Sequence, residues 1–257
     1  MDRNRLRKYL MITFLITWSC WWADALLVKI TALTASDVLP MLLFTVGGFG
    51  PTIAGGMCMK PKFDKKTLKS FLFPRHRIHW LVLFTAIFLE TIVFGMCSNG
   101  INPMLPKSPL AGIVILIVFL QAATLYGGNE EWGWRGTMQP ILEQALPSPI
   151  ATLIVGIVWI SWHIPLWFIP GNSHQSMSFL YFSITGLALS YWLSALYDLT
   201  GAVLLCMILH GWTNTLLGVV NITPGFLYYG SLAVLTVIAI AASLSAQHQN
   251  VSPHIAK

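Results

Sequence analysis

The sequence predicts an all-α polytopic membrane protein: one bundle of about eight transmembrane helices with both termini cytoplasmic. Three observations carry this expectation. Of 257 residues, 56% are hydrophobic and 9% charged, whereas soluble domains carry about 25% charged residues. A soluble core cannot hide that much apolar surface, so the main solvent is lipid. The apolar residues form unbroken runs of about 20, the length of a spanning helix, rather than the shorter alternating stretches of barrel strands. Finally, 13 of the 15 lysines and arginines fall on one side of such a bundle, leaving Lys29 and Lys107 on the other. That asymmetry sets the orientation.

Taken in order, the expected spans are residues 9–28, 38–57, 79–97, 110–134, 149–169, 178–197, 201–220 and 226–245. Arg3, Arg5, Arg7 and Lys8 precede the first. Its run is long and rich in tryptophan, with no clear small-residue cleavage site, so it reads as an uncleaved anchor. The stretch "KPKFDKKTLKSFLFPRHR" after the second span is foremost an orientation signal. Its other reading is a binding surface for anionic lipid or an acidic partner. The fourth span ends in "GGNEEWGWRGTMQP", residues 127–140, placed on the cytoplasmic side. Asp198 in "YDLTG" suits a turn or helix cap, and the tail "QHQNVSPHIAK" reads as disordered. A net charge of +6 would suggest nucleic acid in a soluble protein. Here the cations sit between apolar runs and mark orientation, so no nucleic-acid partner is expected. Cys20, Cys58, Cys97 and Cys206 form no C-x-x-C pair and read as small packing residues. No internal repeat supports a transporter built of inverted halves, and no linker divides the chain, which reads as a single domain over 1–257.

Ionisable groups within spans are costly, and each is a candidate functional residue. Asp24 and Glu90 stand alone in their runs and read as structural, near a helix end or in a local hydrogen bond. Glu131 and Arg135 are four apart, with the acid first, the better order for an ion pair on one helix face. Glu130 is then left without a local cation. Such a carboxylate suits general-base work, or it is an ordinary solvated charge in an interfacial loop. His163, in "GIVWISWHIPLWF", is either a hydrogen-bonding residue of the bundle or a catalyst. His210 and Asn214 share a face at i and i+4. They are placed to donate to a carbonyl oxygen gaining charge, or to bond neighbouring helices. The chain has no G-x-S-x-G elbow, no H-E-x-x-H and no P-loop, which leaves water as the nucleophile of a hydrolytic site.

Three motifs carry a family resemblance. "EEWGWRG" resembles E-E-x-x-x-R, "WISWH" an aromatic residue four before a histidine, and "HGWTN" H-x-x-x-N. In this order they resemble the CPBP family, the CAAX proteases and bacteriocin-processing enzymes also called the Abi family. The usual aromatic of the second motif is phenylalanine; here it is Trp159. The resemblance covers about residues 127–220, within a protease core expected over about 110–220. It implies an all-helical intramembrane endopeptidase that cleaves membrane-associated peptides or proteins. In it Glu130 and His163 activate water, His210 and Asn214 form the oxyanion hole, and Glu131, Arg135 and Trp159 support the site. No cofactor is expected from a metal-free glutamate-dependent site. The other reading is zinc held by Glu130, His163 and His210, a His₂Glu set with water as fourth ligand.

The expected partners are membrane lipid and a peptide or protein substrate, lipid-modified in the CAAX case. The expected location is a bacterial cell membrane, with the site facing the cytoplasm; oligomeric state is left open. The alternative function is a non-catalytic immunity or scaffold protein that binds a peptide. One geometric demand follows. His163 lies about 21 Å along a helix that starts near Pro149. Glu130 reaches it only if that helix starts outside the lipid or the fourth span runs long and tilted.

Overall fold

The structure, a computed structural model, describes residues 1–59, 65–103, 105–106 and 110–251. Lys60, Lys62, Lys107 and Lys257, which enter the charge asymmetry, lie outside the described residues. Among those described, seven helices are long and apolar enough to cross a membrane. An eighth apolar helix, over the expected seventh span, has 17 residues, a little under the roughly 20 a span needs. The chain forms two compact units: Met1–Lys62 with Glu130–Ser190, and Phe63–Asn129 with Tyr191–Lys257.

The first unit begins with α1, Arg3–Ile30, capped where the Asp2 carboxylate accepts from the Arg5 backbone N–H at 3.0 Å. The second run, expected as one helix, is broken at Phe49 into α2, Val38–Gly48, and α3, Gly50–Cys58. Pro51 follows the break and lacks the N–H a continuous helix would use. The pair packs tightly on α1. A Cβ on Gly50 would collide with the Thr17 hydroxyl, and one on Gly47 would meet the Trp21 indole at 2.5 Å. Polar bonds join the same helices: Thr17 Oγ1 donates to Gly47 O at 2.6 Å, and Trp21 Nε1 to Phe44 O at 2.9 Å. Small residues and side-chain-to-backbone bonds are how helices associate where lipid removes the hydrophobic drive.

In the second unit, α4, Lys65–Leu72, precedes α5, Ile78–Met96, and a short strand β1, Ser98–Ile101. The helix α6 spans Ala111–Thr124. It does not run on to Trp134 as expected. The chain breaks at Leu125–Gly127, where Gly127 has φ 138°, a conformation glycine adopts without the strain of a side chain. A 3₁₀ turn over Gly128–Glu130 follows. Back in the first unit come α7, Glu131–Gly133, a π turn over Trp134–Met138, and α8, Gln139–Glu143. The apolar segment therefore continues to Glu143, 33 residues from Ala111. The EEWGWRG motif lies within it rather than at its end.

The next helix, α9, spans Ser148–Trp162 and gives way at His163 to a 3₁₀ turn over Ile164–Phe168. Pro165 explains the change, since its ring cannot sit inside an α-helix. The helix α10 covers Phe179–Thr200. Asp198 is in its last turn, not in a loop. The stop is made by Thr200, whose hydroxyl accepts from Ala202 N–H at 3.3 Å, and by Gly201 at φ 63°, the left-handed residue that commonly ends helices. Then come α11, Val203–Val219, the strand β2, Val220–Ile222, and α12, Phe226–Val251. α12 makes helix of the first five tail residues; 252–257 lie outside the described residues. β1 and β2 pair antiparallel, a small ribbon in an otherwise helical protein that no periodicity in the sequence announces.

Both isolated acids are buried well inside their helices rather than at the ends. Asp24 is within α1. Glu90 accepts from Thr213 Oγ1 at 2.6 Å, so its bond runs between α5 and α11 and not within one element. A close approach of α6 and α11 gives the first test. A Cβ on Gly211 would stand 2.6 Å from Ala123 Cα, and backbone cannot yield as a flexible side chain can. Gly211→Ala should cost about 1–3 kcal/mol and lower the melting temperature in detergent. Gly230→Ala, which faces open space on α12, should not. Equal melting of the two variants would contradict this packing.

Candidate active site

Glu130 and His163 sit at matched distances from the turn that joins α8 to α9. Glu130 is 13 residues before Glu143, and His163 is 15 residues after Ser148; at 1.5 Å per residue both lie about 20 Å along their segments. The sequence-level mismatch in depth disappears because the fourth segment runs on to Glu143. Glu130 is 5% exposed and Glu131 fully buried, which discards the solvated-loop reading of these charges.

One residue, Trp159, ties the two candidates together. Trp159 Nε1 donates to Glu130 Oε2 at 2.7 Å. Trp134, at i+4 from Glu130, donates to the same oxygen at 3.3 Å. The Trp159 backbone oxygen lies 2.8 Å from His163 Nδ1. A carbonyl can only accept, so Nδ1 carries a proton and donates it to this bond. The Trp159 and His163 rings meet edge-on, centroids 4.2 Å apart. Thus the 3₁₀ turn before α7 and the C-terminal end of α9 supply a carboxyl group and an imidazole, both buried.

The neighbouring acid does something else. Glu131 Oε2 lies 3.0 Å from Arg135 Nη1, with both side chains at most 2% exposed. The second guanidinium nitrogen donates to Ser190 O at 3.1 Å and Ser190 Oγ at 2.9 Å. Arg135 therefore ties the motif to α10 while Glu131 neutralises it. Below the motif, Gly133 packs so closely that a Cβ there would collide with Pro51 O and stand 2.5 Å from Tyr9 Oη. Tyr9, fully buried, sets its ring edge-on to Trp134 at 5.8 Å.

The second unit holds the other pair. His210 is 1% exposed and Asn214 half-buried. Both face the Gly127 turn, as their spacing predicts. Asn214 Nδ2 donates to Tyr126 O at 2.9 Å. The position of a Gly127 Cβ would be 3.1 Å from His210 Nε2 and would collide with Asn214 Nδ2. Only a glycine leaves these two side chains their place.

Sequence reasoning missed several contributors. Trp134 was findable, because it stands at i+4 from Glu130 just as Arg135 does from Glu131. Tyr9, Ser190 and Gly127 carry no local signal; long-range packing brings each to its motif. His174 was missed too. Its Nδ1 donates to Asn172 Oδ1 at 2.8 Å, and its ring packs on Trp167 and Phe182, with centroids 5.0 and 5.5 Å apart. Removal from water there pushes the imidazole down to about 4.

The folded chain thus resists protonating His174, while the unfolded chain binds a proton near pH 6.5. Its contribution to stability is full above about pH 6.5 and is lost as the pH falls towards 4. His174→Gln should shrink the drop in melting temperature between pH 7 and pH 4.5. An unchanged drop would refute this assignment. Among the described residues, no three His, Cys, Asp or Glu side chains cluster so as to hold a metal ion.

Comparison with known proteins agrees with the motifs. Residues 109–216 match the family model described as Type II CAAX prenyl endopeptidase Rce1-like, a stretch that contains Glu130, Glu131, Arg135, Trp159, His163, His210 and Asn214. Over that stretch the chain is similar to the type II CAAX prenyl endopeptidases. It is also 24% identical over 186 residues to CAAX prenyl protease 2 of Methanococcus maripaludis, a match covering 66% of this chain and 65% of the relative. The chain therefore spans just under two thirds of that relative's length. Residues before 109 lie outside the family match, yet Tyr9 and Pro51 touch the motif from there.

Proposed function

We propose that this membrane protein is an intramembrane endopeptidase of the glutamate-dependent type. The observation that carries the proposal is the buried Glu130–Trp159–His163 arrangement, a carboxyl group held by the Trp159 indole and an imidazole held by the Trp159 backbone carbonyl. In this reading Glu130 with His163 takes a proton from water as its oxygen attacks the scissile carbonyl carbon. His210 and Asn214 donate to the carbonyl oxygen as it becomes an oxyanion. The proton then passes to the amide nitrogen, the C–N bond breaks, and a new carboxyl and a new amine result. Glu131 and Arg135 keep the motif folded. The lysine and arginine asymmetry supports a cytoplasmic α8–α9 turn and a site reached from that side. The substrate class is a membrane-associated peptide or protein.

The test is to purify the full chain in detergent and incubate it with matched pools of unmodified and farnesylated peptides, reading products by mass spectrometry. Cleavage that disappears in Glu130→Ala supports a protease. Binding without cleavage, unchanged in Glu130→Ala, overturns it in favour of a peptide-binding protein. The same assay run with a zinc chelator separates the metal-free reaction, which continues, from a zinc-dependent one, which stops.

A further inference from the structure

We infer that Trp159 is a positioning residue for Glu130, its indole N–H fixing the carboxyl group in the orientation needed to activate water. The inference rests on the proposed protease reading. Three observations carry it, all within the first unit. The Trp159 Nε1–Glu130 Oε2 distance of 2.7 Å is that of a short, strong bond to a carboxyl oxygen. Trp134 donates to the same oxygen from the other helix, so two rigid donors hold one Oε and limit rotation of the group.

The indole itself cannot swing. It stacks on Phe182 at 5.3 Å with 12° between the planes. Its six-membered ring lies over Gly186, where any Cβ would collide with it. The absence of a side chain at Gly186 thus makes room for an indole at position 159. The backbone of the same residue orients His163. One residue therefore sets both the carboxyl and the imidazole, and an error of about 1 Å in such a placement costs on the order of 10²-fold in rate.

The test is Trp159→Phe, which keeps an aromatic ring and removes the donor. The probe is a farnesylated, internally quenched peptide that the wild type turns over. We expect kcat to fall about 10- to 100-fold with KM unchanged, because the substitution removes a donor to Glu130 and keeps an aromatic ring in its place. A second measurement does not depend on activity. In full chain labelled with ¹⁵N at the indoles, the resonance missing in Trp159→Phe belongs to Trp159, and it should move upfield in Glu130→Ala. The ten other tryptophan signals in Trp159→Phe report whether the variant is folded.

A Trp159 signal indifferent to Glu130→Ala overturns the hydrogen bond itself. A signal that moves, with kcat unchanged or with the loss confined to KM, overturns the positioning role. A signal that moves in a wild type that cleaves none of the peptides refutes the protease reading and this inference with it, while leaving the contact in place.

Discussion

Glu131→Gln should lower the melting temperature of the detergent-solubilised protein by about 10 °C. The ion pair between Glu131 and Arg135 is 3.0 Å long and withdrawn from solvent at both ends. Neutralising one member leaves a buried guanidinium with neutral acceptors, the glutamine oxygen and the Ser190 oxygens, and without its paired counter-charge. Breaking a buried pair in this way costs about 3–5 kcal/mol. For a chain of this size each kcal/mol shifts melting by about 2–4 °C. The decisive companion is Glu131→Gln with Arg135→Met. Removing both charges removes the unpaired one, so the double variant should melt above the single one. If Glu131→Gln melts with the wild type, the bracing role is wrong.

Glu130→Gln should do the reverse. The glutamine carbonyl oxygen still accepts from Trp159 and Trp134, so melting should stay within about 2 °C, the scale of a change below 1 kcal/mol. Cleavage should fall by at least about 10³-fold, since an amide cannot take a proton from water and general-base catalysis alone contributes about 10²- to 10⁴-fold. Two adjacent glutamates thus give opposite phenotypes, one in stability and one in rate. The cause is geometric. Successive residues on a helix point to different faces, so Glu131 meets Arg135 while Glu130 meets Trp159.

Local spacing made that division legible from sequence. The i,i+4 rule paired Glu131 with Arg135 and put His210 and Asn214 on one face, and both pairings hold. Apolar run length located the spans. The same rules failed where backbone chemistry or long-range packing decides. Run length ended the fourth span at Trp134, yet the chain breaks at Gly127 and continues through a π turn to Glu143, so the motif is embedded and His163 is reached. The second run hid a break at Phe49–Pro51. Trp159 read as a modest departure from the usual phenylalanine because a motif records residue type and not where an indole N–H points. Tyr9 and Ser190 contribute from well over a hundred and about fifty residues away from the motif, a distance no periodicity spans.

The most direct measurement is the product yield of the full chain on farnesylated and unmodified peptides, wild type beside Glu130→Gln, at matched folded concentration verified by melting. The account predicts new peptide termini from the wild type and none above background from Glu130→Gln at an unchanged melting temperature. Equal product from the two would contradict it.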